Sequence, residues 1–267
     1  MNKKHLTQIF PWLLPMRKKQ RQLCFYTAMR FDRNRYAETR LNTILPYLHF
    51  TSSCPMYNTQ TGLDMVYQEN KVFNLKLAAK KIDRLVIRPG ETFSFCWATR
   101  HADRETPYKK GLTELYGKLT AEQGGGLCML SNLLFWLFLH TPMTIIERHG
   151  HSKKDFPEPP SDAPFGVDAT VAAGWLDLKV RNDTGSSFQI TSGFDDTSIC
   201  GSIYSNTEGA VFRVFNGPVR YYRENGIIFE EVDVCREIAS GEIETLYRNR
   251  CQIGYELSHD TEIIERA

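Results

Sequence analysis

The chain has 267 residues, of which 42% are hydrophobic and 12% aromatic, enough to fill a core in one large domain or two small ones. The formal net charge of +2 gives no whole-molecule basis for binding nucleic acid, so no nucleic-acid partner is expected. Seven cysteines are scattered with no CxxC among them, which argues against a zinc knuckle or redox pair and suits a reducing compartment better than a disulfide framework.

The amino end, "MNKKHLTQIFPWLLPMRKKQRQ", has a basic start and a short apolar patch, but Pro11 and Pro15 interrupt it and no small-residue cleavage site follows. It does not read as a signal peptide, and the longest apolar run elsewhere is about half the ~20 residues needed to cross a bilayer. The expected location is therefore cytoplasmic. Lys3, Lys4, Arg17, Lys18, Lys19, Arg21, Arg30, Arg33 and Arg35 face only Asp32. Leu23, Phe25, Ala28, Met29 and Phe31 recur at helical spacing, which predicts a basic helical segment over residues 1–59. That segment either packs with a solvated basic face or touches a membrane surface through residues 9–35, with Trp12, Leu13 and Leu14 entering the headgroup layer.

A turn at "MYNTQTGLD" precedes "NKVFNLKLAAKKIDRLVI", whose apolar spacing predicts a helix running into a strand. "RPGETFSF" predicts a Pro-Gly turn entering a strand, and "ETPYKKGLTELYGKL" a strand with a further turn at Gly117. Next comes "EQGGGLCMLSNLLFWLFLHTP". A helix is expected from about Cys128 to His140, ending before Pro142, and apolar on nearly all sides. Strands are expected at "MTIIERHGHS", "VDATVAAG", "WLDLKVRND", "FQITSGFD" and "GSIYSN", with an irregular proline-rich connection at "FPEPPSDAPFG". Hairpin signals follow at Asn216-Gly217 and Asn225-Gly226. Helices before Cys128 and strands after it predict an α+β fold, with helices on one side of a largely antiparallel sheet.

A cysteine at a helix amino terminus sits where unpaired backbone N–H groups and the positive end of the helix dipole favour thiolate. Gly124, Gly125 and Gly126 permit left-handed or tight backbone geometry just before Cys128 and would let a substrate backbone approach it, and the N–H groups of Gly125 and Gly126 could stabilise an oxyanion. The other reading is a small buried cysteine in a core helix. A base is available in His149 or His151, which strand geometry would place on one face. Asp168 is a candidate to orient the imidazole, or a turn residue bonding its own backbone. The order Cys, His, Asp resembles, in arrangement only, papain-like and transglutaminase-like thiol enzymes. The His-x-His pair is also a conceivable metal ligand set, which would make the chain a metallohydrolase. The glycines serve nucleophile exposure rather than metal binding, so neither a metal nor another cofactor is expected.

Together "RPGETFSF", "GGGLCMLSNLLF", "IIERHGHS", "GVDATV" and "WLDLKVRN" resemble the VanW family in order and spacing. The resemblance covers roughly residues 60–206, with residues 207–267 as a hairpin-rich tail packed on the same domain. It implies a link to glycopeptide (vancomycin) resistance and to the cell wall, with peptidoglycan stem peptides or precursors as partners. It further implies L,D-transpeptidase-like acyl transfer with Cys128 as nucleophile, His151 as the likeliest base beside His149, and Asp168 as orienting acid or structural residue. Arg148 and Ser152 flank the base and could bind a carboxylate. The family pattern has glutamine directly after the cysteine, where this chain has Met129. A non-catalytic accessory protein that binds a wall precursor or another resistance protein is the alternative.

Overall fold

A computed structural model describes residues 11–115, 118–210, 212–238 and 241–266. A 3-10 turn (Pro11–Leu13) leads into α1 (Leu14–Phe31), followed by β1 (Arg35–Tyr36) and β2 (Tyr47–Pro55). Another 3-10 turn (Thr59–Thr61) precedes α2 (Val66–Ile82), β3 (Val86–Ile87), β4 (Glu91–Ser94) and the short α3 (Phe95–Thr99). The hairpin β5 (Lys110–Leu115) and β6 (Lys118–Gln123) runs into α4 (Cys128–Leu139). Then come β7 (Thr144–Glu147), β8 (Lys153–Lys154), β9 (Lys179–Arg181), β10 (Phe188–Phe194) and β11 (Ser198–Ser205). The last strands are β12 (Arg213–Asn216), β13 (Arg220–Glu224), β14 (Ile227–Glu237), β15 (Ile243–Ile253) and β16 (Ile263–Arg266).

These strands form three larger sheets and the β5–β6 hairpin. Their orders are β1-β4-β9-β7, β2-β11-β10-β3 and β16-β13-β14-β15-β8, with β12 added beside β14. Most pairings are antiparallel; β1–β4, β13–β16 and β8–β15 are parallel. The fold is thus α+β, with few helices and mostly antiparallel sheets.

The expected single sheet with helices on one side is replaced by a central helix shared among three sheets. The physical reason lies in α4 itself, because a helix without a continuous polar face must be covered all round. Trp136 meets Phe50 of β2 edge-on at 5.2 Å, Phe138 meets Phe93 of β4 at 5.0 Å, and Phe135 meets Tyr247 of β15 at 5.9 Å between ring centroids. Each sheet therefore contributes an aromatic wall to the same helix. Leu130, Leu134 and Leu137 are fully buried between them, each worth about 1.5–3 kcal/mol of transfer free energy.

Several local expectations hold. α2 followed by β3, the turn at Gly90 into β4, and α4 itself lie where the patterns place them. Asn225-Gly226 closes the β13–β14 hairpin with both residues at positive φ, 50° and 77°, the geometry of a two-residue primed turn. Asn216-Gly217 closes no hairpin: β12 and β13 lie one after the other along β14, and the Gly217 N–H donates to the Asp233 carbonyl at 2.8 Å. The turn expected at Gly117 lies outside the described residues.

β2, which falls within the amino-terminal 59 residues, pairs antiparallel with β11 from Tyr47↔Ser205 to Pro55↔Ser198. The carboxy-terminal sheet reaches the core through Val214, Val234 and Tyr247. Among the described residues no helix is long and apolar enough to cross a membrane.

Candidate functional site

Cys128 is the first residue of α4, delivered by a turn whose glycines have a packing reason. Gly125 lies so close to Gly111 of β5 that a Cβ on either would overlap the other's backbone, and the Gly125 carbonyl accepts from Asn74 Nδ2 at 3.1 Å. Gly126 has φ +89°, and a Cβ there would strike the side chain of Lys71 on α2. Lys71 is itself buried, and burial pushes its ammonium down to about 8. Gly125 and Gly126 are therefore needed for close approach of the hairpin and α2 to the turn, a role that the sequence reading assigned instead to an approaching substrate.

Three of the sequence-predicted residues converge on one another. The His151 ring hydrogen-bonds the Cys128 thiol. Its Nδ1 lies 2.7 Å from Asp168 Oδ2, and the same oxygen accepts the His151 backbone N–H at 2.7 Å. This leaves Nε2 as the nitrogen for the sulfur. Cys128 Sγ also lies 3.7 Å from the Val171 carbonyl oxygen.

The electrostatics follow from these contacts. Burial alone would push the Cys128 thiol up, but the hydrogen bond and charge of His151, with a backbone contact to Val171, outweigh it and lower the thiol below its ordinary value. Burial alone would push His151 down, yet Asp168 and the thiol hold the imidazole well above its usual value. Burial would raise Asp168 as well, and His151 and Arg148 instead hold its carboxyl below the usual range. The three groups favour a thiolate beside an imidazolium backed by a carboxylate.

Arg148 sits on this arrangement differently from the expected carboxylate-binding role. Its Nη2 pairs with Asp168 Oδ1 and donates to the Gly166 carbonyl at 3.1 Å and Asn249 Oδ1 at 2.9 Å. Its Nε donates to the Asp168 carbonyl at 2.6 Å, and its guanidinium lies 4.4 Å over the Tyr247 ring. The fork is spent on holding the acid by one carboxylate oxygen and its backbone carbonyl, which arginine's fixed planar set of donors suits. Ser152 is exposed, and its carbonyl accepts from the Gln252 N–H at 3.0 Å, tying the segment after His151 to β15.

His149 points elsewhere. The expected strand ends at Glu147, so both histidines lie beyond it, and alternation on one face does not apply. His149 Nε2 is 3.1 Å from Glu147 Oε1, which accepts the Asp177 N–H while Oε2 pairs with Lys179 at 2.9 Å. The two imidazoles thus serve separate carboxylates. Among the described residues no group of three or more His, Cys, Asp or Glu could hold a metal ion.

Asp168 also lies outside any strand. Its segment is irregular and is pinned to α4 by two residues that sequence reasoning passed over. Asn132 Oδ1 accepts the Ala169 N–H at 2.7 Å, and Ser131 Oγ donates to the Ala169 carbonyl at 2.5 Å. The Thr170 N–H donates to the His149 carbonyl at 2.7 Å, joining the acid's segment to the base's. Ser131-Asn132 was a legible signal, the one polar pair in an otherwise apolar helix. Asn249 and Tyr247, whose hydroxyl donates to the Gly166 carbonyl at 3.0 Å, carried no comparable signal.

Residues 70–204 match the family described as "VanW like protein". The chain is 54% identical over 272 residues to the vancomycin B-type resistance protein VanW of Enterococcus faecalis, with 99% of each chain covered. It is also 33% identical over 114 residues to the uncharacterized protein YoaR of Bacillus subtilis, an alignment covering 43% of this chain and 36% of that one. No solved structure matches it. The family match spans the glycine turn, α4, both histidines and Asp168, while Tyr247 and Asn249 lie beyond it and within the longer alignment. The chain belongs to the VanW family.

Proposed function

We propose that this protein is a cysteine-dependent acyl-transfer enzyme acting on peptidoglycan stem peptides, L,D-transpeptidase-like, in the setting of glycopeptide resistance that the name of its Enterococcus relative states. The observation that carries the reading is the convergence of Cys128 at the start of α4 with His151 and Asp168, whose Oδ2 lies 2.7 Å from the imidazole Nδ1, an arrangement that favours a lowered thiol. The Cys128 thiolate attacks a peptide carbonyl and forms a tetrahedral intermediate. Collapse breaks the C–N bond, leaving a thioester on sulfur while the His151 imidazolium gives its proton to the departing amine. A second amine, or water, then attacks the thioester, passes its proton to His151 and returns the thiolate. A nucleophile at a helix start with its base and acid from later segments also supports the papain-like or transglutaminase-like comparison as one of arrangement.

Incubation of the protein with a synthetic stem tetrapeptide, followed by intact-protein and peptide mass spectrometry, tests this. An acyl adduct confined to Cys128, absent from Cys128→Ala, is the expected result. Turnover that survives Cys128→Ala would sink the proposal.

A non-catalytic accessory role is the second reading, favoured by the engagement of Gly125 and Gly126 with Gly111 and Lys71 rather than with open space. It predicts saturable binding of the same tetrapeptide with no adduct at any pH.

A further inference from the structure

The side of α1 turned away from the domain carries apolar and cationic residues that the rest of the protein leaves uncovered. Its inner side is well accounted for. Lys18 pairs with Glu122 at 2.7 Å, Gln22 packs so closely on Gly174 that a Cβ there would collide with it, and Met29 is buried. Trp12 stands in the 3-10 turn that leads into α1, and about 120° around the helix from Gln22 and Met29 lie Met16 and Leu23. These are 68%, 64% and 69% exposed, and Phe31 at the helix end is 83% exposed.

The helix has no acidic residue. Among the described residues none of Arg17, Lys19, Arg21 and Arg30 makes an ion pair, and Arg21 lies 5.0 Å over the ring of the exposed Trp175. We propose that the outward face of α1 is a peripheral membrane-binding surface for anionic lipid headgroups.

The chemistry of the face selects this occupant. An acidic protein surface would need carboxylates matched to individual cations. A bilayer interface supplies diffuse negative charge together with an apolar layer that accepts Trp12, Met16 and Leu23. The amphipathic indole of Trp12 suits the headgroup boundary. Residues 9 and 10, included in the sequence expectation of membrane contact, lie outside the described residues.

The placement has a consequence for the Cys128 site. Glu122, which pairs with Lys18, is the penultimate residue of the hairpin that leads into the glycine turn. Gly174, under Gln22, follows closely on Val171, whose carbonyl oxygen lies beside Cys128 Sγ. α1 is thus fastened to both segments flanking the thiol.

Co-sedimentation of the full chain with vesicles tests the proposal. Binding to phosphatidylglycerol/phosphatidylethanolamine vesicles should exceed binding to phosphatidylcholine vesicles by at least about tenfold and weaken with added salt. Arg17→Gln with Lys19→Gln should lower it by about thirtyfold, from roughly one kilocalorie per cation near the surface. Trp12→Ser with Leu23→Ser should lower it comparably. All four side chains are exposed, so circular dichroism should show the variants folded. Cys128→Ala should bind like the parent, which separates this proposal from the acyl-transfer reading. Equal affinity for neutral and anionic vesicles, or no binding to either, overturns it. So does a dimer detected by light scattering that Trp12→Ser with Leu23→Ser dissociates, which would mean that a second copy covers the face.

Discussion

Cys96 and Cys128 occupy almost the same local setting and differ in chemical character. Each lies at the amino end of a helix, α3 or α4, each has its sulfur near a backbone carbonyl of the 171–176 segment, and each has a buried aspartate nearby. Cys96 Sγ donates to the Leu176 carbonyl at 3.4 Å, and its N–H donates to Asp177 Oδ1 at 2.9 Å. There burial and the adjacent carboxylate both push the thiol well above its ordinary value. At Cys128 the imidazole of His151 stands between sulfur and carboxylate, and the shift is downward. A helix start and a neighbouring Asp therefore do not make a reactive thiol. The interposed cation decides, because it turns a repelling carboxylate into one that stabilises the charge beside the sulfur.

The largest effect expected is loss of that distinction. Replacing His151 by Ala should slow iodoacetamide labelling of Cys128 at neutral pH by about 100-fold, the order of a lost general base, and leave it as inert as Cys96. Peptide-resolved mass spectrometry of both cysteines in one sample reads this out. If Cys128 labels at the parental rate, the imidazole is not what activates it.

Arg148→Met should be next in size. It leaves the buried Asp168 without its guanidinium partner, and removing one member of a buried pair costs about 3–5 kcal/mol. Urea denaturation should record the loss, with Cys128 labelling reduced in the fraction that remains folded.

Asp168→Asn sharpens the comparison through pH. In the parent, Cys128 labelling should persist below the ordinary thiol range near about 8.5, and the Asn variant should move the inflection upward. The carboxyl of Asp168 is depressed by folding, so its contribution to stability is present above the unfolded value of about 3.9 and is lost as pH falls through the lower folded value. The Asn variant should therefore be less stable at neutral pH and show a flatter acid limb.

Asn249→Ala removes one hydrogen bond to the Arg148 guanidinium, worth about 1.5–3 kcal/mol. It should weaken stability without abolishing labelling. The smallest effect belongs to Cys96→Ala, which should leave the labelling rate of Cys128 within about twofold of the parent, since no mechanism links the two thiols.

Much of the candidate site was legible because its residues sit in short, unusual contexts. The glycines before Cys128, the length of α4 and the pairing of a histidine with Asp168 could all be expected from residue types and order. The selection of His151 over His149 came from the family resemblance rather than from strand geometry, since neither histidine is in a strand. The use of Arg148 was misread, because an arginine beside a histidine looks the same in sequence whether it faces a ligand or clamps a carboxylate. The glycines were recognised for the missing Cβ and for left-handed geometry, which Gly124 and Gly126 adopt, but their packing against Gly111 and Lys71 could not be read because those residues are distant in sequence.

The sequence by itself determined that α4 is a buried central helix with Cys128 at its start, since an apolar run bounded by glycines and Pro142 has few other solutions. It also determined that the strands are short and mostly turn-separated, and so predominantly antiparallel. Only the tertiary structure decided that three sheets rather than one surround α4, and that Asn249 and Tyr247 of β15 complete the hold on Arg148 and Gly166. These are contacts between residues about 80 to 100 positions apart. Periodicity and local composition report which face of an element is apolar, but not which distant element will cover it or which polar group will meet its one buried charge.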